Sequence, residues 1–533
     1  MSRVNAAYLV NTLWRLSCRR SLHAFNRGVR QVEATQSQVL RQIVSHNQDS
    51  EYGRQHHFTR IQHVNDFREL VPTGDYEMFE PWINQICRGR TGVLTTEPVQ
   101  LLEPTSGSVA GRRLIPYTES LKRQFQAGIN PWIADLFSAR PALRRGRAYW
   151  MVSPPFERQQ TSGGLEIGFA DDTQYLGLIG RLAAGRVMAI PPGTMNGIRT
   201  EDAPYQTLVR LLAVSDLSLI SVWSPTFLTN LIRLLESSQD RLLRDLRTLV
   251  PKKAVDRIEG IFKADEGIRD KLANLWPQLG LISCWADSSA AHCVHEITDF
   301  FPCVEIQAKG LVSTEAFVSL PIAGQLGSAL SVRSHFFEFQ AASASSNDTL
   351  LAHELSFGTR YRVIVTTGGG LYRYQTHDVI EVVGFLEQCP LIQFCGRANR
   401  TSDLVGEKLT EVFVASAIAR MAKRLSIVPV FAMLVPHRNP PGYRLLIELN
   451  GESEKPSAST IAATLESLLC ENPWYDHAIQ VGQLSRLRTT VDESNSRLQW
   501  DTYEEMCLKS GIRRGDIKPT SLETRFDWDL ASN

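Results

Sequence analysis

Thr105-Ser-Gly-Ser-Val-Ala-Gly-Arg-Arg-Leu-Ile-Pro116 is a hydroxyl- and glycine-rich turn that runs into a basic pair and an apolar step. A helical pattern from about Glu119 to Ala139 follows it, and a strand–loop–helix order of this kind is typical of an open α/β sheet. Small residues let backbone N–H groups approach an anion, while hydroxyls and arginines add donors. The stretch therefore predicts an α/β fold and a candidate phosphate-binding loop, although such clusters are also common in ordinary surface turns.

The composition indicates a soluble globular protein without a strong overall charge. The chain has 533 residues with 43% apolar content, enough for about three domain-sized units of roughly 150 residues each. A net charge of +1 gives no global attraction for nucleic acid or an acidic membrane. The nine cysteines form no CxxC pair, and no run of about 18 apolar residues is present. We expect a cytoplasmic protein that has no integral membrane association and does not bind nucleic acid.

The first fifty residues are predicted to be helical, and the first thirty contain arginines but no acidic residue. A basic start of this kind fits an organelle address or a membrane-surface helix. Apolar residues between Tyr8 and Leu16 also suit a helix that docks on the protein's own body, and we favour this second interpretation. Further along, the residues from Leu208 to Leu249 follow a helical pattern that ends at Pro251.

Two further motifs lie far downstream of the first loop. One is Thr366-Thr-Gly-Gly-Gly-Leu-Tyr-Arg-Tyr-Gln-Thr-His-Asp378, and the other begins at Phe394-Cys-Gly-Arg397 and ends at Gly406-Glu-Lys408. With the first loop and Thr314-Glu315, they resemble in their order the adenylate-forming enzymes. Within that superfamily they most resemble the Gretchen Hagen three family of acyl acid amido synthetases. The resemblance extends from Glu51-Tyr-Gly53 to Gly515-Asp-Ile-Lys-Pro519.

This resemblance implies an α/β fold with a large multi-sheet N-terminal domain of the adenylate-forming type and a smaller, mobile α+β C-terminal domain. We expect the large domain, which binds ATP and the acyl acid, to comprise residues 1–398. The smaller cap domain is expected to comprise residues 399–533. In the resembled enzymes, the small domain rotates between formation of the adenylate and transfer of the acyl group.

The resemblance also implies an activity, that of an ATP- and Mg²⁺-dependent ligase. Such an enzyme adenylates a small carboxylic acid and transfers the acyl group to an amine, here expected to be an amino acid. We expect it to act as a monomer. Two alternatives stay open, namely transfer to coenzyme A or another thiol, and a catalytically impaired protein that only binds nucleotide.

Site residues follow from the same resemblance, position by position. Lys408, Lys518 and Glu315 are the expected catalytic residues, and Glu315 is also the expected Mg²⁺ ligand. Asp378 is expected to accept the ribose hydroxyls, and stacking on adenine is weighed against core packing for Phe337. The residues expected to bind the nucleotide are Thr105, Ser106, Gly107, Ser108, Arg113, Thr314, Phe337, Asp378 and Arg397. The acid pocket is expected between Trp150 and Phe169 and between Leu176 and Met188.

Several positions depart from the family's pattern. Val109 and Ala110 replace a hydroxyl residue and a glycine, and Arg113 stands where lysine is common. His377 stands where a glycine normally precedes the ribose aspartate, so a positive φ at this position would carry a steric cost. Asn399 replaces a frequent acid. These departures are the reason for keeping the impaired-protein alternative.

Overall fold

The computed structural model forms two compact units. The larger comprises Met1–Trp285, Thr298–Thr376 and Glu381–Gln393, and the smaller comprises Ala286–Ile297, His377–Ile380 and Phe394–Asn533. The residues that the structure describes are 6–105, 113–151, 159–168, 185–191, 193–195, 197–199, 202–342, 348–449, 455–492, 498–512, 514, 517–526 and 528.

Helices and strands alternate through most of the described chain. The helices are α1 Ala6–Gly28, α2 Val32–His46, α3 Glu51–Gln55, α4 Val64–Leu70, α5 Tyr76–Cys87, α6 Glu119–Ala139, α7 Ala203–Leu212, α8 Pro225–Ser237, α9 Gln239–Leu249, α10 Lys252–Lys263, α11 Ile268–Leu275, α12 Ala291–Phe300, α13 Glu411–Leu425, α14 Ala458–Leu469, α15 Pro473–Gln480 and α16 Leu498–Lys509. None of the helices in the described ranges combines the length and apolar character needed to cross a bilayer.

The strands form several separate sheets, which confirms the predicted multi-sheet α/β class. They are β1 Leu101–Pro104, β2 Leu114–Tyr117, β3 Arg147–Trp150, β4 Gln159–Gln160, β5 Glu166–Ile167, β6 Leu217–Ser221, β7 Leu281–Cys284, β8 Glu305–Ala308, β9 Ser319–Pro321, β10 Ser328–Leu330, β11 Phe336–Ala341, β12 Leu350–Leu351, β13 Arg360–Thr366, β14 Tyr374–Leu386, β15 Cys389–Arg397, β16 Thr401–Ser402, β17 Leu409–Thr410, β18 Pro429–Arg438, β19 Pro441–Leu449 and β20 Arg488–Asp492.

A four-stranded parallel sheet in the order β3-β6-β7-β8 lies in the larger unit. The prediction of one helical region from Leu208 to Leu249 is wrong in one part, because strand β6 interrupts it. Every residue of Leu217–Ser221 is buried, and the strand separates α7 from α8. A short apolar run buried on both faces has no alternating pattern, so the sequence does not distinguish it from its helical neighbours.

The two strands that flank the predicted phosphate loop lie in a different sheet, in the order β2-β1-β5-β4. Strands β1 and β2 are antiparallel, with Leu101 opposite Tyr117 and Pro104 opposite Leu114. Helix α6 follows directly, and the Thr118 hydroxyl caps it by accepting a hydrogen bond from the backbone N–H of Leu121. The predicted bounds of this helix, Glu119 to Ala139, are confirmed.

A seven-stranded sheet in the order β12-β11-β13-β14-β15-β10-β9 carries the downstream motifs. Strand β14 includes His377–Ile380, and β15 ends with Phe394–Arg397; both segments belong to the smaller unit. The motif residues Asp378 and Arg397 therefore lie on strands and not in loops.

Helix α1 docks on the larger unit, as favoured by the sequence. The Asn11 amide donates to the backbone oxygens of Arg144 and Gly146, both at 3.1 Å, and the buried Trp14 ring lies 6.1 Å from that of Phe137. Some of the apolar residues expected on the docking face do not lie on it, because Leu13 is 62% exposed. Leu9 and Leu16 are exposed as well.

The smaller unit contains the sheet β18-β19-β20 with helices on both faces. One face packs a core that includes Ile418, Leu445 and Leu465 from α13, β19 and α14. The other face packs Phe431 of β18 against Trp500 of α16. Strand β20 and helix α16 complete this unit in the part of the chain after residue 485.

Candidate active site

The ends of the first motif are held together by the hairpin of β1 and β2. The backbone N–H of Thr105 donates to the backbone oxygen of Arg113 at 2.9 Å. The motif therefore connects two antiparallel strands, and the predicted apolar step is strand β2. Ser106, Gly107 and Ser108, which the sequence assigns to phosphate binding, lie outside the described residues.

Arg113 is held at the base of this hairpin by helix α5. Its guanidinium lies 2.8 Å from the Glu77 carboxylate and 5.3 Å from the centre of the Tyr76 ring. The pKa of Glu77 is lowered chiefly by a hydrogen bond from its own backbone N–H, and further by the hydrogen bond from Asp75 and by the charge of Arg113. Arg113 thus has an acidic partner in this structure.

Two hydrogen bonds connect strand β2 and its end to the other motifs of the larger unit. The Tyr117 hydroxyl donates to the backbone oxygen of Thr314 at 2.6 Å, and the Thr118 hydroxyl donates to that of Gly368 at 2.9 Å. A Cβ at Gly369 would lie 2.7 Å from the backbone oxygen of Pro116, so the glycine run permits close backbone packing. The structure therefore brings the hairpin, the Thr314-Glu315 segment and the glycine run together.

Glu315 lies in a tight turn between Val312 and Phe317, which pair across it. The backbone N–H of Ser313 donates to the backbone oxygen of Ala316 at 3.0 Å, which closes the turn. The Glu315 side chain is 9% exposed and has neither a hydrogen-bond nor an ion-pair partner among the residues that the structure describes. A buried carboxylate without a partner is costly, and carboxylate oxygens are preferred ligands of Mg²⁺. The chemistry of this position fits a divalent cation.

Phe337 lies inside the core of the larger unit. Its side chain has no exposed area, its ring lies 6.0 Å from that of His335, and it stands opposite Val365 in the sheet. The buried placement favours core packing over adenine stacking, the two roles that the sequence left open.

Arg373, at the centre of the Tyr-Arg-Tyr motif, belongs to a buried ion-pair network. Its guanidinium donates to the fully buried Glu338 carboxylate at 2.9 and 3.1 Å and to the backbone oxygen of Val71 at 2.8 Å. Arg68 donates to the same carboxylate at 3.0 Å. This network joins β11, α4 and the motif, so the Arg373 guanidinium serves to hold these parts of the fold together.

Asp378 and Arg397 form an ion pair within the smaller unit, with Arg397 Nε 3.4 Å from Asp378 Oδ1. His377, directly before Asp378, adopts a φ of 63°. The backbone oxygen of His377 accepts a hydrogen bond from the N–H of Ala398, just after Arg397. Histidine therefore occupies a left-handed backbone conformation, which a glycine would adopt at a lower steric cost.

Lys408 is exposed and also has a positive φ, 47°. Beneath it, the fully buried Glu407 accepts hydrogen bonds from the backbone N–H groups of Leu404 and Val405, both at 2.8 Å. The Tyr443 hydroxyl also donates to Glu407. A rigid turn therefore presents the lysine side chain to solvent at the start of β17.

Lys518, the other expected catalytic lysine, is exposed between buried neighbours. Its backbone oxygen accepts a hydrogen bond from the Tyr503 hydroxyl at 2.8 Å, and Ile517 is 1% exposed. The next residue, Pro519, accepts a hydrogen bond through its backbone oxygen from the Ser289 hydroxyl at 2.6 Å. The segment is fixed through its backbone, and Lys518 itself is an exposed residue.

The predicted acid pocket is only partly described. Residues 152–158 and 169–184 lie outside the described ranges, and with them Pro154, Pro155 and Phe156. Sequence reasoning missed Lys309, which directly follows β8 in the larger unit. A lysine at the carboxyl end of a parallel strand was the available signal, because ligands commonly bind at that edge of a sheet.

Three family models match consecutive parts of the chain: the GH3 family N-terminal domain at residues 21–306, the central domain at 328–397 and the C-terminal domain at 412–524. A putative indole-3-acetic acid-amido synthetase GH3.10 from Oryza sativa subsp. japonica is 25% identical over 417 residues, covering 74% of this chain and 84% of the relative. Indole-3-acetic acid-amido synthetase GH3.4 from Arabidopsis thaliana is 23% identical, covering 74% and 72%.

A solved structure of the GH3.15 acyl acid amido synthetase has a TM-score of 0.80 with this chain at 18% identity, covering 95% of this chain and 94% of that one. At this identity the likeness shows a shared fold. The N-terminal family model alone matches more than half of the chain, and the other two follow in order. The family expected from the motifs is thereby confirmed, and the chain belongs to the GH3 family.

Proposed function

We propose that this chain is an ATP-dependent acid–amino acid ligase. A carboxylate oxygen of the acyl acid attacks the α-phosphorus of ATP, and pyrophosphate leaves. The amine nitrogen of an amino acid then attacks the acyl carbon, AMP leaves with its oxygen, and one proton is released. Membership of a family whose relatives are named amido synthetases supports this class of reaction.

The observation that carries the proposal is the buried, unpaired carboxylate of Glu315. In the turn beside the β1–β2 hairpin, we assign this residue to Mg²⁺. The cation supplies charge neutralisation on the phosphates of ATP. Thr314 lies in the same turn, and Tyr117 fixes its backbone by hydrogen bonding to its oxygen. The hairpin ends Thr105 and Arg113 are proposed to flank the phosphates.

In the smaller unit, we assign Asp378 to the ribose hydroxyls and Arg397 to the orientation of that carboxylate, in accord with their ion pair. Lys408 and Lys518 are exposed ammonium groups on fixed backbone, and we assign them to the phosphate charge during the reaction. His377 retains the left-handed backbone conformation despite its side chain. This favours retained activity over the impaired-protein alternative.

The proposal is tested by exchange of radiolabelled pyrophosphate into ATP with benzoate, phenylacetate, indole-3-acetate and octanoate. We expect exchange with at least one acid, and AMP release stimulated by amino acids and not by coenzyme A. Stimulation by coenzyme A would support the thiol alternative. ATP binding without exchange, with all four acids, would indicate a protein that only binds nucleotide.

The role of Glu315 has its own measurement. In Glu315→Gln, the Mg²⁺ concentration for half-maximal exchange should rise at least about tenfold. Glu305→Gln, which changes a half-exposed carboxylate paired with Arg140, is the matched control and should leave it unchanged. Equal Mg²⁺ dependence of Glu315→Gln and the parent would remove Glu315 from the site.

A further inference from the structure

Lys309 lies at the carboxyl edge of the parallel sheet in the larger unit, directly after β8. Its backbone N–H donates to the backbone oxygen of Cys284 at 2.8 Å, which continues the sheet by one residue. Its ammonium donates to the Ser221 hydroxyl at 2.7 Å, at the end of β6. Among the described residues, the partners of this ammonium are a hydroxyl and aromatic rings, and no carboxylate lies within ion-pair distance.

Indole rings surround the charge in place of an acid. The ammonium lies 4.8 Å from the centre of the Trp223 ring and 5.3 Å from that of Trp132. Trp285 continues the cluster at 5.8 Å from Trp223, and Trp150 continues it at 5.6 Å from Trp132. Ring faces attract a cation, yet they replace only part of the hydration that it loses. The position favours an additional anion.

Polar groups on the same face of the sheet support a ligand at this edge. Ser221 stands opposite Trp150 on one side and opposite Ser283 on the other, and paired residues of neighbouring strands project to one face. The Ser283 hydroxyl and the Trp150 indole N–H are buried and have no hydrogen-bond partner among the described residues. Buried donors of this kind usually have a partner, and a bound molecule supplies one.

A purely structural role explains the arrangement less well. Lysines that stabilise a fold from a buried position are paired with carboxylates, whereas Lys309 is hydrogen-bonded to a serine hydroxyl and surrounded by indole rings. Burial lowers the pKa of Lys309 to about 8, and the nearby Cys284 thiol opposes this only in part. The sheet thus holds a destabilised cation among rings, which is the condition for a strong interaction with an incoming anion.

We propose that Lys309 binds the carboxylate of the acyl acid, and that the apolar part of the acid packs against Trp132 and Trp223. The assignment rests on the proposed function and adds to it a residue that selects anionic, aromatic or hydrocarbon acids. It matches the general location of ligand sites at the carboxyl ends of parallel strands. Ser221 fixes the ammonium from the side of the sheet and leaves its other two N–H donors for the ligand.

The test compares each of four acids (benzoate, phenylacetate, indole-3-acetate and octanoate) with its uncharged primary amide, by calorimetric titration of the full chain. The parent should bind at least one acid about 10- to 100-fold more tightly than its amide. Lys309→Met should bind that acid and its amide equally, and Lys309→Arg should keep part of the difference. Lys263→Met is the matched control and should behave as the parent does.

The outcomes separate this assignment from the proposed function. Parent-like preference of Lys309→Met for the acid overturns the assignment, as does failure of the parent to bind any of the four acids. Lys309-dependent acid binding without pyrophosphate exchange would retain the assignment and reject the ligase. Exchange by Lys309→Met with an unchanged KM for the acid would retain the ligase and reject the assignment.

Discussion

Arg397 Nε lies 3.4 Å from Oδ1 of Asp378, a residue whose side chain is almost entirely buried. Asp378 lies on β14, and Arg397 is the last residue of β15. The guanidinium holds one carboxylate oxygen, while each oxygen has a second lone pair that can accept a hydrogen bond. The pair therefore helps to hold the Asp378 carboxylate in one orientation.

If Asp378 binds the ribose, Asp378→Ala should raise the KM for ATP about 10- to 100-fold, since hydrogen bonds to a charged group contribute about 1.5–3 kcal/mol. The variant should also stop discriminating between ATP and 2′-deoxy-ATP in pyrophosphate exchange. Asp476→Ala, which changes a half-buried carboxylate in the first turn of α15, is the control and should discriminate as the parent does. Parent-like discrimination by the Asp378 variant would refute the ribose assignment.

His377 permits a test of backbone strain because its φ is 63°. A non-glycine residue in the left-handed region costs roughly 1–2 kcal/mol, so His377→Gly should leave the free energy of unfolding unchanged or raise it. A β-branched residue tolerates this region least, and His377→Val should lower the free energy by about 1–2 kcal/mol. Urea unfolding measures both changes.

The same substitution at a helical histidine should have the opposite effect. His23 lies inside α1 and is exposed, so His23→Gly should destabilise by about 1 kcal/mol. If glycine were equally destabilising at both positions, the left-handed backbone at 377 would not be a source of strain.

Local patterns predicted the elements whose signals lie within a short stretch. The α6 helix has its cap, its length and its apolar face inside residues 118–139, and its bounds were correct. The order of the motifs predicted the family because each motif is short and contiguous. Strand β6 was missed since its five residues are all buried and lack the alternation that distinguishes a strand from a helix.

The candidate site depends more on contacts between distant parts of the chain. Whether Glu315 has a partner depends on which side chains the fold places near it, and the sequence does not show this. The Tyr117–Thr314 hydrogen bond, for example, joins residues 197 positions apart. Lys309 became a candidate binding residue only through its contacts with Ser221 and Trp223, which lie far earlier in the chain. A lysine after a strand is by itself only a weak signal, because the sequence does not show which distant residues surround it.

The Glu338 network predicts a large loss of stability. Glu338 is fully buried and pairs with Arg373 and Arg68, so Glu338→Ala leaves two guanidinium groups without their partner. Removal of one member of a buried pair costs about 3–5 kcal/mol. Glu387→Ala, which breaks an exposed pair with Arg30, should cost less than about 1 kcal/mol. Comparable midpoints of urea unfolding for the two variants would contradict this.

Lys309 should reduce the stability of the protein. Burial lowers its pKa from 10.5 to about 8, which means that the folded protein binds this proton less tightly than the unfolded chain does. Below pH 8 the lysine is charged in both states and its burial cost is complete. Between pH 8 and 10.5 the folded protein loses the proton first, and the cost declines. Lys309→Met should therefore raise the free energy of unfolding at pH 7 by on the order of 1–3 kcal/mol.

The gain of Lys309→Met over the parent should shrink as the pH rises from 8 towards 10, because only the parent contains the titrating group. Urea unfolding at pH 7, 8, 9 and 10 measures this trend, and Lys263→Met should show none, since Lys263 is exposed and paired with Glu259. A stabilised variant that has lost its preference for acids over amides would identify Lys309 as a residue kept for binding at the expense of stability. A destabilised variant at pH 7 would show instead that the ring contacts and the Ser221 hydrogen bond outweigh the cost of burying the charge.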